Sequence, residues 1–212
     1  CCAKPVFIDI TMDTYNLDPE LLPEVISKKT KAILPVHLFG RCADIDKISD
    51  IAGDIPLIED AACAAGAGYK GRPAGSLGTC GVFSFHPRKI ITTGEGGMIT
   101  TDDDALAEKL IRLRNHGASL SEEQRHLGPK PYLMPEFVEL GYNFRMTDLQ
   151  GAVGVVQLEK LDQFVQERQK WADYYSQKLA SIEWLKLPEH DPAYQHSFQS
   201  YVCLVDENKA PI

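Results

Sequence analysis

No stretch of this 212-residue chain reaches the roughly 18 consecutive apolar residues that a membrane-spanning helix requires, so neither a membrane helix nor a membrane partner is expected. Glycine and proline, at 16 and 13 residues, are too few for a low-complexity or fibrous chain. Positive charge is also scarce: 22 Lys and Arg stand against 30 Asp and Glu, for a net charge of −8. A nucleic-acid-binding face needs clustered cations to neutralise phosphates. The densest group here, Lys28, Lys29 and Lys31, reads instead as the solvated end of a helix. Nucleic acid is not expected as a partner. Cysteine occurs six times, as Cys1, Cys2, Cys42, Cys63, Cys80 and Cys203, with no C-x-x-C pair. Zinc ligands come in close pairs, and secreted disulfide scaffolds are far denser in cysteine. All six therefore read as reduced packing residues of a cytoplasmic protein, with no metal site. The opening CCAKPVFIDI has neither the basic segment nor the long apolar stretch of a signal peptide. It has no initiator Met and enters a strand-like run at once, which reads as an internal fragment.

What is present is ordinary for a soluble protein: 44% apolar and 25% charged residues, enough for a real core. Apolar runs alternate with helical patterns. PVFIDI, AILPVHLFG, PLIED, GVFSF and GGMITT read as strands. Asp18-Pro19-Glu20 caps a helix carrying Leu21, Leu22, Val25 and Ile26, and Asp44 caps one carrying Ile45, Ile48 and Ile51. DDDALAEKLIRLRNHG has acids at its start and Arg112 and Arg114 at its end, as a helix dipole favours. Residues 118–146 read as a long irregular loop, and loops of that length are usually functional. Thr147-x-x-Gln150 opens one long helix running to Leu179, after which IEWLKLP and QSYVCLVDENKAPI read as strands of a second unit. The expected fold is α/β, a mostly parallel sheet flanked by helices.

In open α/β sheets, ligands gather at the carboxyl ends of the parallel strands. PLIED delivers Glu59 and Asp60 there, AILPVHLFG delivers His37, and GVFSF runs into Ser84, His86 and Lys89. Taken together, a lysine, an acid and a hydroxyl match the needs of pyridoxal 5'-phosphate: a Schiff base, a pyridinium partner and a phosphate ligand. The Gly94-Glu95-Gly96-Gly97 run fails the dinucleotide fingerprint in spacing and precedes a strand, so it reads as a tight turn. Residues 66–71 likewise miss the P-loop pattern.

The segment EDAACAAGAGYKGRPAGSLGTCGVFSFHPRKIITTGEGGMITTDD resembles the DegT/DnrJ/StrS family of sugar aminotransferases, within the fold-type I, aspartate aminotransferase-like enzymes. PVHLFGRCADID, LRNHG and GYNFRMTDLQGAVG agree with that family in order and spacing. The resemblance implies that Lys89 in SFHPRK binds the cofactor covalently and that Asp60 in EDAA pairs with the pyridinium nitrogen. Ser84 matches a phosphate-binding serine. Asn143 in GYNFRM matches an asparagine that reaches the cofactor of a partner subunit, implying a homodimer with shared active sites. Cys63 occupies a position near the cofactor ring where the family often carries Gln or His, and a thiol hydrogen-bonds less strongly. His86 lies within the motif and is open to a site or a structural role, His37 to lining the pocket or packing the core. Arg114 and His116 fit a helix C-terminus, and Arg88 a structural or interfacial place.

The implied activity is transfer of an amino group, from L-glutamate, to a keto group of a nucleotide-linked sugar. Two alternatives stand beside it: a sugar-dehydratase relative, a branch with His in place of the lysine, and a non-catalytic protein keeping the fold. On the same resemblance, residues 1–150 form part of a large cofactor-binding domain, residues 151–180 a connecting helix, and residues 181–212 the incomplete start of a small α+β domain. The family's N-terminal phosphate turn and stacking aromatic, and the rest of its small domain, are not found in these residues.

Overall fold

The computed structural model describes residues 2–132 and 134–211. Its central sheet is built from β1 (Ile58–Asp60), β4 (Cys80–Ser84) and β5 (Gly97–Thr100), in the order β1-β4-β5. β1 and β4 are parallel, with Asp60 opposite Val82. β5 is antiparallel to β4, with Ser84 opposite Gly97. The sequence pattern does not distinguish that direction. The connection from Phe85 to Gly96 contains no helix, and parallel neighbours need a long crossover, so the chain turns back on itself. Gly94 (φ +82°) and Gly96 (φ +154°) make that turn with backbone angles that residues with a Cβ rarely adopt.

AILPVHLFG lies beside β1 in the expected place, yet forms only two parallel bridges, Ile33 to Leu57 and Val36 to Asp60. Pro35 has no N–H to donate; its carbonyl still accepts from Asp60 N at 2.9 Å. The expected strand PVFIDI is absent. Only Ile10 makes a bridge, to Leu17, while Val6 and Phe7 are exposed. A strand exists only through its neighbours, and among the described residues this segment pairs only at its end, where Asp18 N donates to Asp9 O at 3.0 Å.

A small sheet is invisible in the sequence. β2 (Gly68–Tyr69) and β3 (Arg72–Pro73) form a hairpin through Lys70 (φ +48°) and Gly71 (φ +78°), both left-handed as a two-residue I′ turn demands. β7 (Tyr194–Gln195) then pairs antiparallel with β2. β6 (Leu185–Lys186) pairs with β8 (Leu204–Val205), where the sequence suggests longer strands.

The first helical segment is a 3-10 turn, Pro19–Leu21, leading into α1 (Leu22–Val25), with Asp18 accepting from Glu20 N. α2 (Ile45–Ala52) buries Ile45, Ile48 and Ala52 and ends at Gly53, as its spacing predicts. α3 (Asp104–Arg114) is capped by Asp103. Within the expected loop 118–146 lies α4 (Glu122–Leu127), started by a capping box of Ser121 and Gln124. The long helix is two: α5 (Asp148–Glu159), opened by the Thr147–Gln150 box, and α6 (Leu161–Leu179), with the break at Lys160. The break lets α6 set Leu161, Phe164 and Val165 against Ile90 and Ile91 in a second core cluster. The main core gathers Leu22, Ile33, Ile45, Ile48, Leu57 and Ala61 between the sheet and α2. Cys42 is buried in it as a packing residue, Cys80 is buried in β4, and burial pushes the Cys42 thiol up to about 12. Cys2 is exposed, against expectation, and Cys1 lies outside the described residues. Among the described residues no helix is long and apolar enough to cross a membrane.

Candidate functional site

Because β1 and β4 run parallel, their last residues, Asp60 and Ser84, leave the sheet at the same edge. Ala61 N donates to Val82 O at 3.0 Å, so the chain follows β4 for one more residue. It then turns, with Ala62 N donating to Asp60 Oδ1 at 3.1 Å. Among the described residues Asp60 Oδ2 has no hydrogen-bond partner. The turn carries Cys63 to the point where Lys89 Nζ donates to its Sγ at 3.2 Å. Lys89 reaches that point through a tight turn after β4, in which Lys89 N donates to His86 O at 2.9 Å and Thr93 N to Phe85 O at 3.1 Å. Ser84 Oγ accepts a long bond, 3.4 Å, from His86 N. An amine, a thiol, a carboxylate and a hydroxyl thus gather at one strand edge. All four residues are partly buried.

Asn143 is not brought to this group. It is exposed and forms a bridge with Asn115, beside the end of α3. His116, with φ +60°, follows that end, and its N donates to Tyr142 O at 2.8 Å. Arg114 closes α3, its carbonyl accepting from Phe144 N at 2.9 Å, so Arg114 and His116 anchor the Asn143 loop through their backbones. His86 stays local: its Nδ1 accepts from Arg88 N at 3.1 Å and its Nε2 lies 3.9 Å from Glu95.

His37 and Glu59, also at the strand ends, form a separate structure. Both are fully buried. Ala43 N donates to His37 Nδ1 at 3.1 Å, which leaves the proton on Nε2, facing Glu59 Oε2 at 2.8 Å. Gly75 N donates to Oε2, and Leu77 N and Gly78 N donate to Oε1, each at 2.7 Å. Burial alone would raise the pKa of Glu59. The histidine and backbone donors outweigh it and hold the carboxyl below its ordinary value. This pair packs the core and pins the 75–78 turn.

Two ties to the site carry no local sequence signal. Gln199 Nε2 donates to Arg88 O at 3.2 Å, fixing the residue before Lys89 from the far end of the chain. Gln150 Nε2 donates to Glu95 O at 2.8 Å, joining α5 to the glycine turn.

Residues 1–211 match the DegT/DnrJ/EryC1/StrS aminotransferase family. The chain is 45% identical over 184 residues to GDP-perosamine synthase of Caulobacter vibrioides, covering 86% of this chain and 47% of that protein. It is 34% identical to the solved aminotransferase from Psychrobacter cryohalolentis, with a TM-score of 0.90, covering 99% of this chain and 55% of that one. It is 32% identical to the solved E. coli GDP-4-keto-6-deoxy-D-mannose-3-dehydratase with bound hydrated PLP, with a TM-score of 0.85, covering 97% and 55%. The chain spans about half the length of the curated relatives it matches.

Proposed function

Because the chain belongs to the DegT/DnrJ/EryC1/StrS aminotransferase family, we propose that the whole protein is a pyridoxal-phosphate-dependent aminotransferase acting on a nucleotide-linked keto sugar, with L-glutamate as amino donor. The observation that carries this reading is the Lys89–Cys63 contact at the strand edge that also bears Asp60 and Ser84. That donor set fits the cofactor: an amine for its aldehyde, a carboxylate with one unpartnered oxygen for its ring nitrogen, and a hydroxyl for its phosphate. When bound, pyridoxal phosphate supplies an electron sink for the carbon that exchanges the amino group. Lys89 holds the group and, through Nζ, moves the proton at the reacting carbon. Asp60 Oδ2 keeps the ring nitrogen protonated, Ser84 Oγ donates to phosphate, and Cys63 steadies the lysine amine.

Asn143 serves the site of a second subunit in this reading, which its exposed position supports. The nucleotide-sugar substrate draws support from the likeness to a GDP-perosamine synthase. Similarity to a dehydratase raises the alternative of sugar dehydration, and Lys89, where that branch carries His, favours amino transfer. Borohydride reduction of the full-length, cofactor-loaded protein followed by peptide mapping tests the assignment. The label should fall on Lys89, and glutamate should convert the cofactor's absorbance to that of its amine form. A label on another lysine, or no response to glutamate, overturns the reading.

A further inference from the structure

Lys89 Nζ and Cys63 Sγ sit 3.2 Å apart, already at the contact distance of nitrogen and sulfur, with no residue between them. Both residues are only partly buried. The other described cysteines differ. Cys42 and Cys80 are buried, and Cys2 is exposed near the chain's start. Among the described residues, no cysteine besides Cys63 has a lysine amine hydrogen-bonded to its sulfur. A sulfenic acid condenses with a nitrogen nucleophile held beside it.

We propose that Cys63 and Lys89 are an oxidation-sensitive pair, in which peroxide drives formation of a sulfur–nitrogen cross-link between the two side chains. In the first step the Cys63 sulfur attacks a peroxide oxygen. The O–O bond breaks, water leaves, and the sulfur, oxidised by two electrons, becomes a sulfenic acid. In the second step the lone pair of the uncharged Lys89 amine attacks that sulfur. The S–O bond breaks and the hydroxyl departs with a proton from nitrogen as a second water. One peroxide is consumed, two waters form, and the protein loses two hydrogens. Two equivalents of a small thiol reverse the change, taking up the electrons as a disulfide.

The regulatory consequence rests on the proposed function: a lysine bonded to sulfur has no amine for the cofactor aldehyde. The cross-link would therefore hold the protein in a cofactor-free, inactive state, and bound cofactor would protect against it.

The test uses the full-length protein freed of cofactor and treated with stoichiometric hydrogen peroxide at mildly alkaline pH. Mass spectrometry should show the loss of two hydrogens and a tryptic peptide pair joined through Cys63 and Lys89, reversed by dithiothreitol. Disulfides remove the same mass, so the peptide assignment and two variants decide. Neither Cys63→Ser nor Lys89→Arg should yield the joined pair. Recovery of Cys63 as a sulfinic acid or disulfide with Lys89 free overturns the proposal. A second arm adds saturating pyridoxal phosphate first, which should suppress the cross-link. Undiminished cross-linking there would leave the pair standing and overturn Lys89 as the cofactor's attachment point.

Discussion

Replacing Glu59 with glutamine changes one atom pair in the core and leaves shape almost untouched. Its two carboxylate oxygens accept four hydrogen bonds: His37 Nε2 and Gly75 N on one, Leu77 N and Gly78 N on the other. A glutamine amide offers one oxygen and one NH2. Whichever way it turns, two buried donors lose their acceptor and face another donor. Each such group costs about 1–3 kcal/mol, so Glu59→Gln should lower stability by about 2–6 kcal/mol. The shift is read from urea midpoints of the full-length protein followed by circular dichroism. The pH dependence adds a second signature. The folded pKa of Glu59 lies below its ordinary value of 4.5, so its contribution is complete above that value and is lost as pH falls below it. The gap between wild type and Glu59→Gln should therefore narrow in acid. A loss under about 1 kcal/mol would mean that water replaces the carboxylate's work, and the reasoning would fail.

Asp60→Asn should leave the unfolding midpoint nearly unchanged yet slow amino transfer by about a hundredfold or more in steady-state assays, since the charge partner of the ring nitrogen is gone. A rate within about twofold of wild type would remove Asp60 from that role. Gly81→Ala, at the second residue of β4, drives its new Cβ into the Gly75 backbone and should cost about 1–3 kcal/mol in the same urea experiment. Gly151→Ala meets nothing within 4 Å inside α5 and should raise stability by about 0.5–1 kcal/mol. His196 is held down to about 4 by burial and by the Arg41 charge, so wild-type stability should fall as pH drops from 6.5 towards 4. His196→Gln should flatten that part of the profile, and an unchanged slope would contradict the assignment.

The central sheet and its helices were legible wherever a segment's own residues determine its state. Asp44, Ile45, Ile48 and Gly53 spell out α2 in cap, stripe and stop, and the structure follows them. The Ser121-x-x-Gln124 box carries the same signal as Thr147-x-x-Gln150, but its short helix lacks an apolar stripe, so a loop was the natural reading. Pairings between distant residues were not legible. Nothing local in Tyr194–Gln195 points to Gly68–Tyr69, and the antiparallel sense of β5 depends on how its connection folds. Within the site, motif resemblance picked out Lys89, Asp60, Ser84 and Cys63. The Lys89–Cys63 contact itself, 26 residues apart in sequence, arises from the turn after β1 meeting the turn after β4. Glu59 and Asp60 are adjacent and chemically alike, yet one locks the core and the other faces the site. Alternation along β1 separates them.

The small three-stranded sheet sets an order of events in time. The Lys70–Gly71 turn lets β2 and β3 meet as soon as both have been synthesised, and a hairpin of this kind closes within about 1–10 μs. β7 joins β2 only after the polypeptide has doubled back across roughly 125 residues, at a closure entropy on the order of 4 kcal/mol. On a ribosome this edge of β2 stays unsealed until nearly the whole segment has emerged. A nascent chain stalled before Tyr194 would present a hairpin with one row of backbone groups open, and would be the species most exposed to mispairing with its neighbours on a polysome.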